Sequence, residues 1–203
     1  MAKKTINHSL QIAQLCCTRG DRRLLHNIQF TLQSGELLHL AGSNGSGKTT
    51  LLRTIAGLLP AIEGEILWNH TATHKQRSQF QAALFYLGHL NGLKDDLSGV
   101  ENLRIQAAIR GETINQNTAR QTLERIGLQG HEDIPCKYLS QGQKRRVALA
   151  RLWCTPATLW LLDEPFSALD TAAITQLQTL IQKHLDQGGM VILTTHQKVA
   201  LLN

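Results

Sequence analysis

The run Gly42-Ser43-Asn44-Gly45-Ser46-Gly47-Lys48-Thr49 constrains this chain more than any other stretch. An apolar segment at 37–41 leads into it. Residues 48–58 then carry helical spacing at Leu51, Leu52, Ile55 and Leu58 until Pro60 stops them. Strand, glycine-rich loop and helix in that order bring consecutive backbone N–H groups to a helix N-terminus, where they turn inward around a β-phosphate. The expected nucleotide-binding set is Gly42, Ser43, Asn44, Gly45, Ser46, Gly47, Lys48, Thr49 and Thr50, with Lys48 reaching the β- and γ-phosphates and the Thr49 hydroxyl ligating Mg²⁺. A plain glycine-rich turn would explain neither the strand before it nor the helix after it.

Leu159-Trp160-Leu161-Leu162-Asp163-Glu164 reads as a buried strand ending in two carboxylates. Two like charges at a strand end are costly to bury without a cation. In a phosphate-loop enzyme Asp163 would hold Mg²⁺ and Glu164 would polarise the attacking water. Lys48 and Glu164 are therefore expected catalytic residues, with Thr49 and Asp163 at the metal.

The remaining pattern is mixed α/β. Residues 10–16 alternate as a strand does and meet a polar turn at 19–23, and further strands are predicted at 65–68, 84–87, 158–162 and 190–194. The middle is helical. Ser98 and Glu101 form a capping box ahead of Val100, Leu103 and Ala107; Asn117 is the expected cap of a second helix ending at Gly127; a third spans 141–153. A last helix at 172–185 carries Ile174, Leu177, Ile181 and Leu185 inward. One domain over 1–203 is expected, with a core at about 1–88 and 154–203 and a helical subdomain at about 89–153.

Charge is +6, from 21 Lys and Arg against 15 Asp and Glu, and the densest cluster is Lys144-Arg145-Arg146 with Arg151. Aromatic residues make up only 4%, too few for a stacking platform, so nucleic acid is not an expected partner. No apolar run reaches the roughly 20 residues of a membrane span, and the basic N-terminus lacks a secretory apolar stretch, so a cytoplasmic protein is expected. Four cysteines, two of them adjacent, fit neither a metal spacing nor a disulfide framework and are read as reduced thiols.

Leu139-Ser140-Gln141-Gly142-Gln143 narrows the reading further. It resembles the signature motif of ATP-binding cassette (ABC) ATPases, with Gln141 where the first glycine is usual. A serine and a glycine amide at a helix N-terminus make an anion site. The resemblance implies that this site closes over the γ-phosphate held by a second copy, giving an ATP-dependent head-to-tail homodimer with ATP and Mg²⁺ as cofactors. Ser167-Ala168-Leu169-Asp170 resembles the D-loop, and His196, just after the strand at 190–194, resembles the switch histidine that contacts the γ-phosphate, which implies a third catalytic residue beside Lys48 and Glu164. The implied fold is a RecA-like phosphate-loop NTPase core of ABC type with an inserted helical subdomain.

Two positions depart from the common pattern. Arg19 precedes Gly20 where most cassettes carry an adenine-stacking aromatic; a guanidinium plane can also stack on a base, which leaves Arg19 open as a nucleotide contact. His89 stands at the Q-loop position, where glutamine is usual, and suits coupling to a partner better than Mg²⁺ ligation. Together with Phe85-Tyr86-Leu87-Gly88-His89, the stretches Asp133-Ile134-Pro135, Gln143 through Trp153, Ala157-Thr158-Leu159-Trp160 and Thr194-Thr195-His196-Gln197 look like the ATP-binding subunits of bacterial haem exporters used in cytochrome c maturation.

That resemblance implies ATP hydrolysis at the cytoplasmic face of the inner membrane, with peripheral attachment through the integral-membrane subunits of the haem exporter complex. Residues 89–95, read as a mobile loop, would be the docking surface. The runner-up is the ATPase of another ABC transporter, which shares all the chemistry and differs in its partners.

Overall fold

A computed structural model describes residues 7–19 and 22–196, with the side chains of Arg19 and Arg22 outside that description. In chain order its elements begin with β1 (Ser9–Arg19), β2 (Arg22–Gln33), β3 (Leu37–Leu40), α1 (Lys48–Ile55), β4 (Glu63–Trp68), β5 (Thr71–Ala72), α2 (Arg77–Ala83) and β6 (Leu84–Leu87). They continue with α3 (Gly99–Ile109), α4 (Gln116–Arg125), α5 (Gln141–Cys154), β7 (Leu159–Asp163), α6 (Thr171–Asp186) and β8 (Met190–Thr194). Two units result. One gathers the described residues of Met1–Tyr86, Ala157–Glu164 and Ile181–Asn203; the other holds Leu87–Pro156 and Pro165–Leu180.

The first unit carries two sheets. Antiparallel strands in the order β2-β1-β4-β5 form one, and the order β3-β8-β7-β6 forms the other, with β3, β8 and β7 parallel. Every residue of β7 and β8 is buried, as continuous apolar runs covered on both faces require. Register is what positions chemistry here: Leu40 pairs with Thr194 and Thr194 with Asp163, so the carboxyl ends of three strands stand level. Leu10, Ile12, Leu15, Leu52, Ile55, Leu161 and Ile192 belong to one core cluster that joins β1, α1, β7 and β8.

The simple alternation expected for β1 breaks in its middle. Leu10 and Ile12 are buried, then the register slips, Gln14 adopts φ 49°, and Leu15 and Cys17 take over the buried positions. Gly64 accommodates the bulge: at φ 85° it lets β4 approach so closely that a Cβ would run into the carbonyls of Ala13 and Gln14. Three elements, β2, the two-residue β5 and α2, are not among those expected. In α2 only Phe80 is buried, so its sequence carries no apolar stripe to reveal a helix.

In the second unit α3, α4 and α5 enclose Val100, Leu103, Ala119, Leu123, Ile126, Cys136, Val147 and Ala150. The Ser98–Glu101 capping box forms as expected. For α4 the cap is Asn115 rather than Asn117: the Asn115 side chain accepts from the Thr118 amide at 2.8 Å, and Asn117 already lies in the first turn. Residues 165–180 join this unit, beyond the 89–153 span expected to be helical. In α6 Ala173, Leu177 and Ile181 are buried, and Ile174 and Leu185 only half so.

Near the end of α6 the His184 ring lies flat on Trp160 of β7, with centroids 3.7 Å apart and planes within 5°. Its Nε2 is 3.1 Å from the Thr158 carbonyl, and Gly189 leaves room for the ring, since a Cβ there would collide with it. Burial lowers the His184 pKa from 6.5 to about 4, against a smaller opposing effect of backbone carbonyls. The neutral ring is the form that fits, so its stabilisation is full above pH 6.5 and fades as pH falls towards 4. His184→Phe should remove that part of the acid sensitivity, on the order of 3 kcal/mol between the two limits. Denaturant unfolding of both proteins from pH 7 to pH 4 checks this; parallel curves would refute it.

Candidate functional site

Three strand ends and one helix N-terminus build the site. From the end of β3 the chain enters the loop at 41–47 and passes directly into α1, whose N-cap is Gly47 at φ 99°. The Leu25 side chain lies 3.0 Å from where a Cβ of Gly47 would stand, so this turn excludes larger residues by space as well as by backbone angle. Gly42, Ser43, Asn44 and Gly45 are exposed. Lys48 folds back across the loop, its Nζ donating to the carbonyls of Gly42 at 2.6 Å and Ser43 at 3.0 Å. The same ammonium stands 3.5 Å from the His196 Nε2.

Asp163, at the end of β7, is only 2% exposed, and both of its oxygens accept hydroxyl hydrogen bonds. Thr49 donates to Oδ2 at 2.8 Å and Thr194 donates to Oδ1 at 2.8 Å. The Thr194 hydroxyl in turn accepts from the Glu164 amide at 2.9 Å, so one buried side chain fixes both consecutive acids. Glu164 holds a left-handed φ of 50°, and its carboxylate faces His196, whose backbone N donates to Oε2 at 3.3 Å and whose Nε2 is 3.5 Å from Oε1. His39 on β3 reaches the Thr195 carbonyl at 3.3 Å. Burial, opposed by Arg53 and reinforced by the charge of Asp163, holds the Tyr86 phenol above its ordinary pKa, so it stays protonated.

Lys48, Thr49, Asp163, Glu164 and His196 are thus brought together. Thr194 was missed as a site residue, although the Thr-Thr-His run after an apolar strand was its available signal. Among the described residues no three His, Cys, Asp or Glu side chains converge to hold a metal. One hydroxyl and one carboxylate already in contact supply hard oxygen donors that fit Mg²⁺, an ion that keeps waters and takes substrate phosphate oxygens to complete its octahedron. Arg19 ends β1 with its side chain outside the description, and Gly20 and Gln197 also lie outside the described residues.

In the second unit Ser140 caps α5 through a full capping box: its Oγ accepts from the Gln143 amide at 3.2 Å and its own amide donates to the Gln143 side chain at 2.8 Å. Ser140 and Gln141 are exposed and Leu139 is buried. A Cβ on Gly142 would come within 2.9 Å of the Ala168 carbonyl, so glycine here allows the segment Ser167-Ala168-Leu169-Asp170 to pack against α5. Asp170 caps α6 by accepting from Ala173 at 2.9 Å and pairs with Arg146 at 2.5 Å.

His89 is exposed, and the segment that follows it makes side-chain contacts that its glycines do not suggest. Lys144 pairs with Asp95 and Lys137 with Asp96, each at 2.9 Å, while buried Asn102 binds the carbonyls of Lys94 and Leu97. Burial raises the pKa of Cys17, Cys136 and Cys154, which keeps these thiols protonated and unreactive.

Fold and motifs together define an ATPase of the ATP-binding cassette class. The ABC transporter family model matches residues 25–167. A cytochrome c biogenesis ATP-binding export protein CcmA of Dechloromonas aromatica (strain RCB) is 52% identical over 190 residues, covering 94% of this chain and 93% of that protein. The protein of the same description from Nitrosomonas europaea (strain ATCC 19718 / CIP 103999 / KCTC 2705 / NBRC 14298) is 48% identical over 192 residues, covering 95% and 90%. A solved structure described as an ABC transporter ATP-binding protein from Pyrococcus furiosus superposes with a TM-score of 0.81 at 28% identity, covering 95% of this chain and 93% of that one. The chain belongs to the ABC transporter family and, within it, to the cytochrome c biogenesis ATP-binding export proteins. Among the described residues no helix is long and apolar enough to cross a membrane.

Because Thr194 serves both acids, Thr194→Val, which keeps the shape and deletes the hydroxyl, should remove one donor from Asp163 Oδ1 and one acceptor from the Glu164 amide. The expected cost is about 1–3 kcal/mol in thermal unfolding and at least roughly tenfold in ATP turnover, with nucleotide affinity retained. Turnover equal to the parent's would show that Thr194 does not position the acids.

Proposed function

We propose that this chain is the ATP-hydrolysing subunit of a haem exporter complex in c-type cytochrome maturation. It works at the cytoplasmic face of the bacterial inner membrane, and its hydrolysis drives release of the haem-charged chaperone through integral-membrane partner subunits. The observation that carries the reading is the convergence of Lys48, Thr49, Asp163, Glu164 and His196, in a chain that shares about half its residues with cytochrome c biogenesis export proteins.

The loop amides from Gly42 to Gly47 and the Lys48 ammonium bind the phosphates, with Lys48 exchanging its two loop carbonyls for phosphate oxygens. Thr49 and Asp163 would hold Mg²⁺, which neutralises charge on the β- and γ-phosphates. Glu164, kept in place through its amide by Thr194, accepts a proton from the attacking water. His196 lies between Glu164 and Lys48 and is suited to sense the γ-phosphate. Ser140 and Gly142, at the N-terminus of a fourteen-residue helix, receive the γ-phosphate bound by a second copy, so turnover needs two chains head to tail. The helical unit, with His89 and Leu90 exposed on it, docks on the membrane subunits, and haem need not touch this chain.

Glu164→Gln should bind ATP with Mg²⁺ and stop turnover, and in that form the chain should dimerise with ATP and not with ADP. Adding Ser140→Arg should abolish the dimer. Light scattering at matched nucleotide occupancy checks both, and a monomer with verified bound ATP would overturn the paired site. Deleting the gene should block holo-cytochrome c production and leave haem on its periplasmic chaperone. Normal c-type cytochromes in a strain without a second copy would sink the haem assignment and leave the ATPase standing.

A further inference from the structure

We infer that Arg145 is a positioning residue: its buried guanidinium clasps the two ends of the exposed His89-Leu90 tip and makes that tip move with the signature end of α5. This rests on the proposal that Ser140 and Gly142 receive a phosphate from a second copy.

Arg145 is 3% exposed, and its Nη1 donates to the Gly88 carbonyl and to Asn91 Oδ1, both at 3.1 Å. These acceptors flank His89 and Leu90 on either side. Between them the chain pushes Leu90 outward to 78% exposure. An apolar side chain held out in water on a short loop gains nothing from folding, and a loop of this composition, with glycines at 88 and 92, would ordinarily fluctuate. A buried guanidinium is also costly to desolvate, and an apolar residue of similar volume would serve packing at least as well. Arginine contributes what such a residue lacks, a planar nitrogen, Nη1, whose two N–H groups hold both acceptors at once.

The rest of the segment is tied to the same helical unit. Lys144, adjacent to Arg145 on α5, pairs with Asp95; the Lys137 amide donates to the Asp95 carbonyl at 2.8 Å and the Cys136 amide to that of Leu97 at 2.9 Å. Ser140 and Arg145 are five residues apart, about 7.5 Å along a helix that does not bend over one turn. A displacement of the α5 N-terminus therefore carries Gly88 and Asn91 with it. The tip is preorganised for a partner with an apolar recess, which meets Leu90 without the cost of ordering it.

Hydrogen exchange read by mass spectrometry on the full Glu164→Gln chain, with and without ATP and Mg²⁺, tests the clasp. In this parent, ATP should slow exchange in peptides covering 139–146 and also, by at least about tenfold, in those covering 88–91. Adding Arg145→Gln should preserve the response at 139–146 and the dimer but erase the response at 88–91. Asn91→Ala removes one leg of the clasp without touching the buried cation, and should do the same if the arginine variant does not fold. An undiminished response at 88–91 in either folded variant overturns the clasp and spares the paired phosphate site. No ATP response at 139–146 in the parent overturns the paired site and the clasp with it.

Discussion

A carboxylate buried at the end of a central parallel strand must be given donors, and much of the first unit follows from that requirement at Asp163. Water does not reach it, so its two oxygens need hydrogen-bonding groups from elsewhere in the chain. Thr49 comes from the first turn of α1 and Thr194 from the end of β8. For both to arrive, β8 must pair with β7 in the register that sets Thr194 beside Asp163, and the loop after β3 must turn within seven residues into α1. Glycines make that turn, and the level strand ends deliver His196 and Glu164 to the same place. Nucleotide chemistry and the burial of one charge thus impose the same geometry.

On the helical side α5 plays the comparable organising part. Lys144, Arg145 and Arg146 look in sequence like a basic surface patch, the kind that suggests an acidic partner. Consecutive residues on a helix point about 100° apart, and the three cations go to three different partners. Lys144 takes Asp95, Arg145 takes Gly88 and Asn91, and Arg146 takes Asp170 and the Ile126 carbonyl at 2.8 Å. Arg151, further along, is buried enough for desolvation to lower its pKa. The positive cluster is spent inside the unit, which removes the strongest compositional argument for a nucleic-acid surface.

Legibility in the sequence followed the range of the interactions. The glycine-rich loop, the capping box at Ser98, and the apolar runs of β7 and β8 are each specified by residues within a few positions of one another, and the structure has them where the pattern puts them. What escaped depends on partners far along the chain. The bulge at Gln14 exists with Gly64, fifty residues away; α2 has one buried residue and no stripe; Thr194 acquires its role only through strand pairing with Asp163. The contacts of the segment after Gly88 escape for the same reason, since they come from Asn102, Lys137, Lys144 and Arg145. The choice between Asn115 and Asn117 is a smaller failure, two good caps competing within one turn.

Glu164 shows how the same restraint reaches the chemistry. A glutamate in the left-handed region costs on the order of 1 kcal/mol or more relative to an extended conformation, and nothing in its neighbours' sequence demands it. The backbone accepts the cost because the amide then meets Thr194 while the carboxylate turns towards His196. An extended residue at this position would continue β7 and carry the side chain along the alternation of the strand instead. Strain in the turn therefore separates the two acids in space, leaving Asp163 in the sheet, sealed by two hydroxyls, and Glu164 outside it beside His196. The order of the pair Asp-Glu already suggests two tasks; what it does not show is the threonine from β8 that holds the two side chains apart.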